Sequence, residues 1–294
     1  DAFSNYHPGV NFLYFSLIFG FSMVFMHPIS LFVSFTASLI YSIELKGKKA
    51  FRKNLFFLLP TIVMTALINP VFNHEGATIL GYLPTGNPLT LESIAYGLAA
   101  ATLLGTIYSW FRSFNQIMSS DKFVYLFGRI IPGLSLILSM SLRFVPRFKA
   151  QIKVVSEAQR AIGRDVSNGS IFERIRHGIT ILSIMITWIL ENSIETADSM
   201  KSRGYGLPGR TAFSIYHFDQ RDKKAIIGIL LLGTYVFIGG LLGELSWDYF
   251  PMMKGTPLSL YSISLWLAYF LLCIVPIIAN RLEERQWKFT ASKI

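Results

Sequence analysis

The chain has a single cysteine, Cys273, and it lies inside an apolar run, so no internal disulfide can form. Its five histidines (His7, His27, His74, His177, His217) show no metal-ligand spacing, and no metal site is expected. No Gly-x-Ser-x-Gly, HExxH or paired-carboxylate arrangement occurs, so the sequence offers no catalytic constellation and calls for no cofactor. Charge is scarce too, at 15% of 294 residues. It is nearly missing from the apolar runs, where it would mark an ion pathway. Glu75 and Glu92 stand at an edge, and Arg129 lies in an interrupted segment. A proton-coupled transporter would want an acid or a histidine in mid-span, and none is there.

What is abundant is apolar surface. Hydrophobic residues make up 52% of the chain, Phe alone contributes 25, and the mean hydropathy is +0.47. A water-soluble protein of this size needs more charge to cover its surface, so the excess must face lipid. The expected class is an all-α polytopic membrane protein. The net charge of +10 does not point to nucleic acid, because Lys and Arg cluster between apolar runs. Fourteen of the 27 fall between Arg143 and Lys224, and five between Lys46 and Lys53. Such clusters mark the cytoplasmic side and touch anionic lipid headgroups.

The apolar runs predict about six transmembrane helices at roughly 20 residues each. Val10 to Ile43 is too long for one span and is broken at His27-Pro28, which predicts two short helices with a tight reversal. Leu55 to Asn69, Glu92 to Trp110, Ala225 to Leu245 and Tyr261 to Ala279 follow. The basic Lys46–Lys53 loop should be cytoplasmic, whereas Pro70 to Leu91, without Lys or Arg, should be external. Gly243 to Ser259 also reads as external, and the tail from Arg281 to Lys288 as cytoplasmic.

Val124 to Phe144 breaks this alternation, since positive charge flanks both ends. Arg129, Pro132 and Gly133 interrupt it, so the expectation is an interfacial or re-entrant hairpin. The domain plan is therefore residues 1–112 as N-terminal transmembrane helices, 113–142 as the hairpin, 143–224 as a cytoplasmic helical region, and 225–294 as C-terminal transmembrane helices with a tail.

Two amphipathic helices are expected in the cytoplasmic region. Phe148, Ile152, Val155, Gln159 and Ile162 make a nearly apolar face on the first, beside a stripe of Lys149, Lys153, Glu157, Arg160 and Arg164. Asp165 to Ser170 is a turn by composition. The second helix runs from about Ile171 to Arg203 and stops at Gly204, Gly206 and Pro208. Its stripe of Glu191, Glu195 and Asp198 either pairs with the basic stripe of an antiparallel neighbour or stays solvated. Gly204 to Thr211 has the spacing of a phosphate-binding loop, but Arg210 replaces its lysine, a helix precedes it and Pro208 removes a cradle amide. ATP binding by this chain is not expected.

Ser156-Glu-Ala-Gln-Arg-Ala-Ile-Gly-Arg-Asp165 and Ala197-Asp-Ser-Met-Lys-Ser-Arg-Gly-Tyr-Gly206 resemble the two signature segments of the EcfT/CbiQ family, the T component of energy-coupling factor (ECF) importers. Leu142-Arg-Phe-Val-Pro146, His27-Pro28 and Asn87-Pro-Leu-Thr90 look like further landmarks of that family. The resemblance implies a multi-pass protein of the cytoplasmic membrane of a prokaryote that is not itself an enzyme. It also implies partners: two ABC-type ATPase subunits on the cytoplasmic side and a membrane-embedded S component that binds a vitamin or a metal ion. The family's two segments each centre on Ala-Arg-Gly, which the resemblance assigns to ATPase contact. Here those positions are Ala161, Ile162 and Gly163, flanked by Arg160 and Arg164, and Ser202, Arg203 and Gly204. Serine for alanine is a small change, whereas Ile162 stands where the family has arginine, with Arg160 or Arg164 as the candidate substitute. The competing reading is a self-sufficient secondary transporter of a small solute.

Overall fold

The computed structural model describes residues 2–84, 86–128, 132–207 and 216–291. The elements, in order, are α1 (Pro8–Val24), α2 (Pro28–Phe72), β1 (Ile79–Tyr82), β2 (Pro88–Thr90), α3 (Leu91–Ile117), α4 (Ser120–Gly128) and α5 (Pro132–Ala161). There follow α6 (Ile171–Ser202), α7 (Gln220–Leu241), β3 (Trp247–Asp248), β4 (Lys254–Gly255) and α8 (Leu260–Ala291). The protein is an all-α membrane protein whose only strands, among the described residues, are two short hairpins, β1–β2 and β3–β4. Among the described residues, five stretches are long and apolar enough to cross a membrane: Pro28–Lys48, Leu91–Ile117, Ile171–Ser202, Gln220–Leu241 and Leu260–Arg285. Pro8–Val24 and Leu58–Phe72 are shorter apolar helices.

The chain divides into two compact units, residues 1–119 with 216–294, and residues 120–215. In the first unit a His-Pro pair opens a helix twice, at the expected break of His27-Pro28 and again at His7-Pro8. Proline supplies the first helical residue of α1 and of α2, where its missing N–H costs nothing. The preceding histidine caps the helix, with Nδ1 of His7 accepting from the Gly9 amide at 3.1 Å and that of His27 from the Ile29 amide at 3.2 Å. The stretch expected as a Lys46–Lys53 loop is helical on both sides of a single break. Gly47, at φ 75° and ψ 163°, supplies the left-handed backbone that only glycine adopts without strain.

The core of this unit is aromatic and serine-bearing. Tyr14, Phe15, Tyr41, Trp110 and Tyr269 are fully buried in one cluster contributed by α1, α2, α3 and α8. Four of its polar side chains satisfy one another across helices, as an apolar setting favours. Trp110 Nε1 donates to Ser34 Oγ at 3.0 Å, Ser34 shares a hydrogen bond with Ser22 at 2.9 Å, and Ser22 another with Tyr269 at 3.1 Å. Small residues allow close approach: a Cβ on Gly97 of α3 would stand 2.6 Å from the Ala66 carbonyl oxygen of α2.

These contacts sort the unit's chain ends into two sets. At one end the Phe3 amide donates to Asn280, the His7 amide to Asp222, and Gln116 to the Leu45 carbonyl. At the other the Ala77 amide donates to the Pro251 carbonyl and Tyr249 to the Met26 carbonyl. The first end carries Lys46, Arg112, Arg221, Lys223, Lys224 and Arg281 against Glu44, Asp222 and Glu283; the second carries Glu75, Glu92, Glu244, Asp248 and a single Lys254. The charge asymmetry read from the sequence thus coincides with a geometric division of the bundle.

Candidate functional site

The second unit is built on α5 and α6. Pro132 opens α5 as its first residue, and the helix then runs unbroken through residue 142 to Ala161. Pro132 and Gly133, which looked like interruptions, are both within α5. Pro146 lies inside α5 and removes the amide that would have bonded the Leu142 carbonyl. Arg129, the other residue that marked the expected hairpin, is outside the described residues, as are Pro208, Gly209, Arg210 and Thr211 of the phosphate-loop look-alike.

The α5–α6 pair is antiparallel. Val155 packs with Ile181 and Met185, flanked by Phe148 and Trp188, and the Arg147 guanidinium lies 5.7 Å from the centre of the Trp188 ring. Phe148 and Val155 are the part of the predicted apolar face that this contact uses; Ile152 and Ile162 remain exposed. A capping box starts α6. Ser170 Oγ accepts from the Glu173 amide at 3.4 Å, and Glu173 accepts from the Ser170 amide at 2.8 Å.

The register of this pair places the charges differently from the stripe-on-stripe alternative. The turn between the helices is short, so the start of α6 lies against the end of α5. Glu195, about two dozen residues into α6, lines a cleft with Arg143 and Arg147, from the first half of α5. The basic stripe finds acids nearby instead. Lys153 meets Glu157 of its own helix at 3.9 Å, with both side chains well exposed, a pair of little energetic weight. Arg160 meets Asp165 in the turn at 3.3 Å. The Ser167 amide donates to Asp165 Oδ1 at 2.9 Å, and that bond, the Ser167 hydroxyl and the Arg160 charge hold the carboxyl below its usual range.

The two signature segments end their helices in the same way. At the first, the Gly163 amide donates to the Arg160 carbonyl at 3.0 Å and the Arg164 amide to the Gln159 carbonyl at 2.9 Å. At the second, the Gly204 amide donates to the Lys201 carbonyl at 2.9 Å and the Tyr205 amide to the Met200 carbonyl at 3.0 Å. Both are Schellman caps, with glycine left-handed at φ 82° and φ 78°. Superposing the caps by their hydrogen bonds puts Ala161 on Ser202, Ile162 on Arg203 and Gly163 on Gly204. Arg160 then falls on Lys201, and Arg164 on Tyr205. Ile162 is 62% exposed. An apolar side chain therefore projects from one cap where a guanidinium projects from the other.

Because the helices are antiparallel, the caps lie at opposite ends of the pair. Arg203 shares a cleft of about 390 Å³ with Arg143, Arg147, Asn192 and Glu195. Ile162 lies 19 residues of α5 beyond Arg143, on the order of 30 Å along the helix. Three guanidinium groups facing one carboxylate leave that cleft with donors to spare, able to take anionic or carbonyl groups of a partner. Arg143 and Arg147 did not stand out as site residues in the sequence. Their spacing of four, which puts both on one helix face, was the available signal.

No family model matches the chain. Among curated proteins, it is 36% identical over 105 residues to the energy-coupling factor transporter transmembrane protein EcfT of Streptococcus thermophilus, covering 35% of this chain and 40% of that one. The chain is similar to EcfT. It is 33% identical over 103 residues to EcfT 1 of Listeria monocytogenes, covering 35% of this chain and 39% of the relative. The Bacillus subtilis EcfT matches further, 24% identical over 185 residues, which is 60% of this chain and 70% of the relative. The chain spans about two fifths of the length of the first EcfT relatives it matches. The relatives are named as transmembrane proteins, and the apolar helices of this chain agree with a multi-pass membrane protein.

Proposed function

We propose that the chain is the coupling subunit of an ECF importer in the cytoplasmic membrane of a prokaryote. In this reading α5 and α6 form a cytoplasmic pair that transmits ATP-driven motion from two ABC-type ATPase subunits to a membrane-embedded S component carrying a vitamin or a metal ion. The observation that carries it is the repeated cap: two matching helix ends on one antiparallel pair, at its opposite ends. A single partner would not need two such ends tens of ångströms apart, whereas two copies of one ATPase fold would. The left-handed glycine closes each helix and lets a partner backbone come close, and the residue before it projects outward.

The two contacts are unequal. Arg203 presents a guanidinium for charge-assisted bonds into an acidic or carbonyl-lined groove. At the other end Ile162 takes that position, Arg160 is held by Asp165, and Arg164 points from the residue after the glycine. The stronger docking is therefore at Ser202-Arg203-Gly204. Ile171–Ser202 meets the length and composition of a span, but its uncharged stretch between Arg176 and Glu191 is shorter than the roughly 20 residues a crossing needs, so we read it as cytoplasmic in this proposal.

Co-purification tests the proposal. Tagged wild type in mild detergent should bring down ATPase subunits and ATP hydrolysis, and Arg203→Glu should lose both. Wild type that retains no ATPase in several mild detergents would overturn the coupling reading and favour a self-sufficient transporter.

A further inference from the structure

We propose that Lys46 and Arg112 form a site for a phosphate-bearing anion, the headgroup of an acidic phospholipid, at the basic end of the helical bundle. The two cations come from different helices, Lys46 from the last turn of α2 before its break at Gly47, and Arg112 from the last third of α3. They line one open pocket of about 460 Å³ together with Tyr108, Phe111, Asn115 and Gln116. No carboxylate lines it among the described residues, so two like charges share a concave surface with no acid in its lining to offset them. Arg112 Nη1 is buried and has no hydrogen-bond partner. A buried guanidinium nitrogen left in that state costs stability unless an acceptor arrives, and an anion supplies one. The pocket is also held in shape, because Gln116 Nε2 donates to the Leu45 carbonyl at 3.4 Å and ties the end of α3 to the end of α2.

The position favours a lipid over a dissolved anion. Both helices are membrane-crossing candidates, and the cations lie close to the ends at which these meet the basic surface. Phe111 and Tyr108, 52% and 46% exposed, line the same pocket and precede Arg112 along α3, on its membrane-crossing side by sequence. An aromatic floor under a cationic rim matches an acyl chain under a phosphate, the arrangement expected at the interfacial level.

The test is native mass spectrometry of the full chain in detergent, titrated with phosphatidylglycerol and, separately, with phosphatidylcholine and with inorganic phosphate. Wild type should retain phosphatidylglycerol in preference to phosphatidylcholine. The Lys46→Gln/Arg112→Gln variant should bind it more weakly by roughly fivefold for each cation removed. Arg112→Lys keeps the charge and should keep most of the binding, which guards against a variant that merely misfolds. Lys223→Gln/Lys224→Gln removes two cations from the same end outside the pocket and should bind as wild type does. If inorganic phosphate binds with the same dependence on Lys46 and Arg112, the site stands and its ligand is free phosphate. Equal phosphatidylglycerol binding by wild type and Lys46→Gln/Arg112→Gln, or equal losses from both double variants, would overturn the proposal.

Discussion

Ile162 and Arg203 occupy the same place in two superposable helix ends, and the difference between them is a single side chain. The backbone there is prepared in both cases by a glycine in the left-handed region, so a guanidinium introduced at Ile162 would project as that of Arg203 does. Ile162→Arg should therefore raise the amount of ATPase retained in co-purification, and should partly rescue Arg203→Ala. Retention measured for the three variants side by side checks this; an unchanged yield for Ile162→Arg would mean that the first cap makes no such contact. Arg160 is a poor substitute for the missing arginine because Asp165 already holds it, and that carboxyl stays ionised down into acid. Arg164 has no ion pair among the described residues, but it leaves the chain on the far side of Gly163, where the matching cap has Tyr205.

At the scale of elements, α5 and α6 hold together through few buried side chains. Met185 is 1% exposed and sits between Val155 and Ile181, with Phe148 and Trp188 closing the cluster. Most of the remaining apolar surface of α6, including Ile175, Ile179, Leu182, Ile186 and Leu190, is exposed. So small a core makes each member matter. Met185→Ala should destabilise the pair by about 2–5 kcal/mol, the usual range for a buried Met-to-Ala truncation. Thermal or denaturant unfolding followed through Trp188 fluorescence would measure it. A loss far smaller than this would mean that the helices are held apart from that cluster. The aromatic core of the first unit is denser, and its Ser22–Ser34–Tyr269–Trp110 chain links four helices in place of water.

Across the whole molecule, the placement of α6 is the statement on which the proposed function depends. A spanning α6 would have its ends on opposite sides of the membrane; a cytoplasmic one has both ends on the same side. The single native cysteine is fully buried, which leaves the wild-type chain a nearly silent background for labelling. Asn168→Cys and Lys201→Cys bracket the helix. Both should react with a membrane-impermeant thiol reagent only from the inside, in inverted vesicles and not in intact cells. Labelling of one residue from each side would establish a crossing and remove the basis for a cytoplasmic coupling pair.

The sequence by itself determined the class and the approximate spans, because lipid exposure demands a composition and a run length that no soluble fold shares. It also located the break at His27-Pro28 and the helix stops at Gly163 and Gly204, since proline, glycine and capping residues act locally on the chain that carries them. Tertiary structure decided what depends on register. That Lys46–Lys53 is helix around one glycine, and that α5 runs on through residue 142, followed from whether a breaker residue ends a helix or is accommodated beside one. That Glu195 joins Arg143 and Arg147, while Arg160 turns to Asp165, followed from the short connection that fixes which halves of the antiparallel helices meet. The equivalence of Ile162 and Arg203 became visible only in the cap hydrogen bonds, because it is a relation between two ends far apart in the sequence and in space.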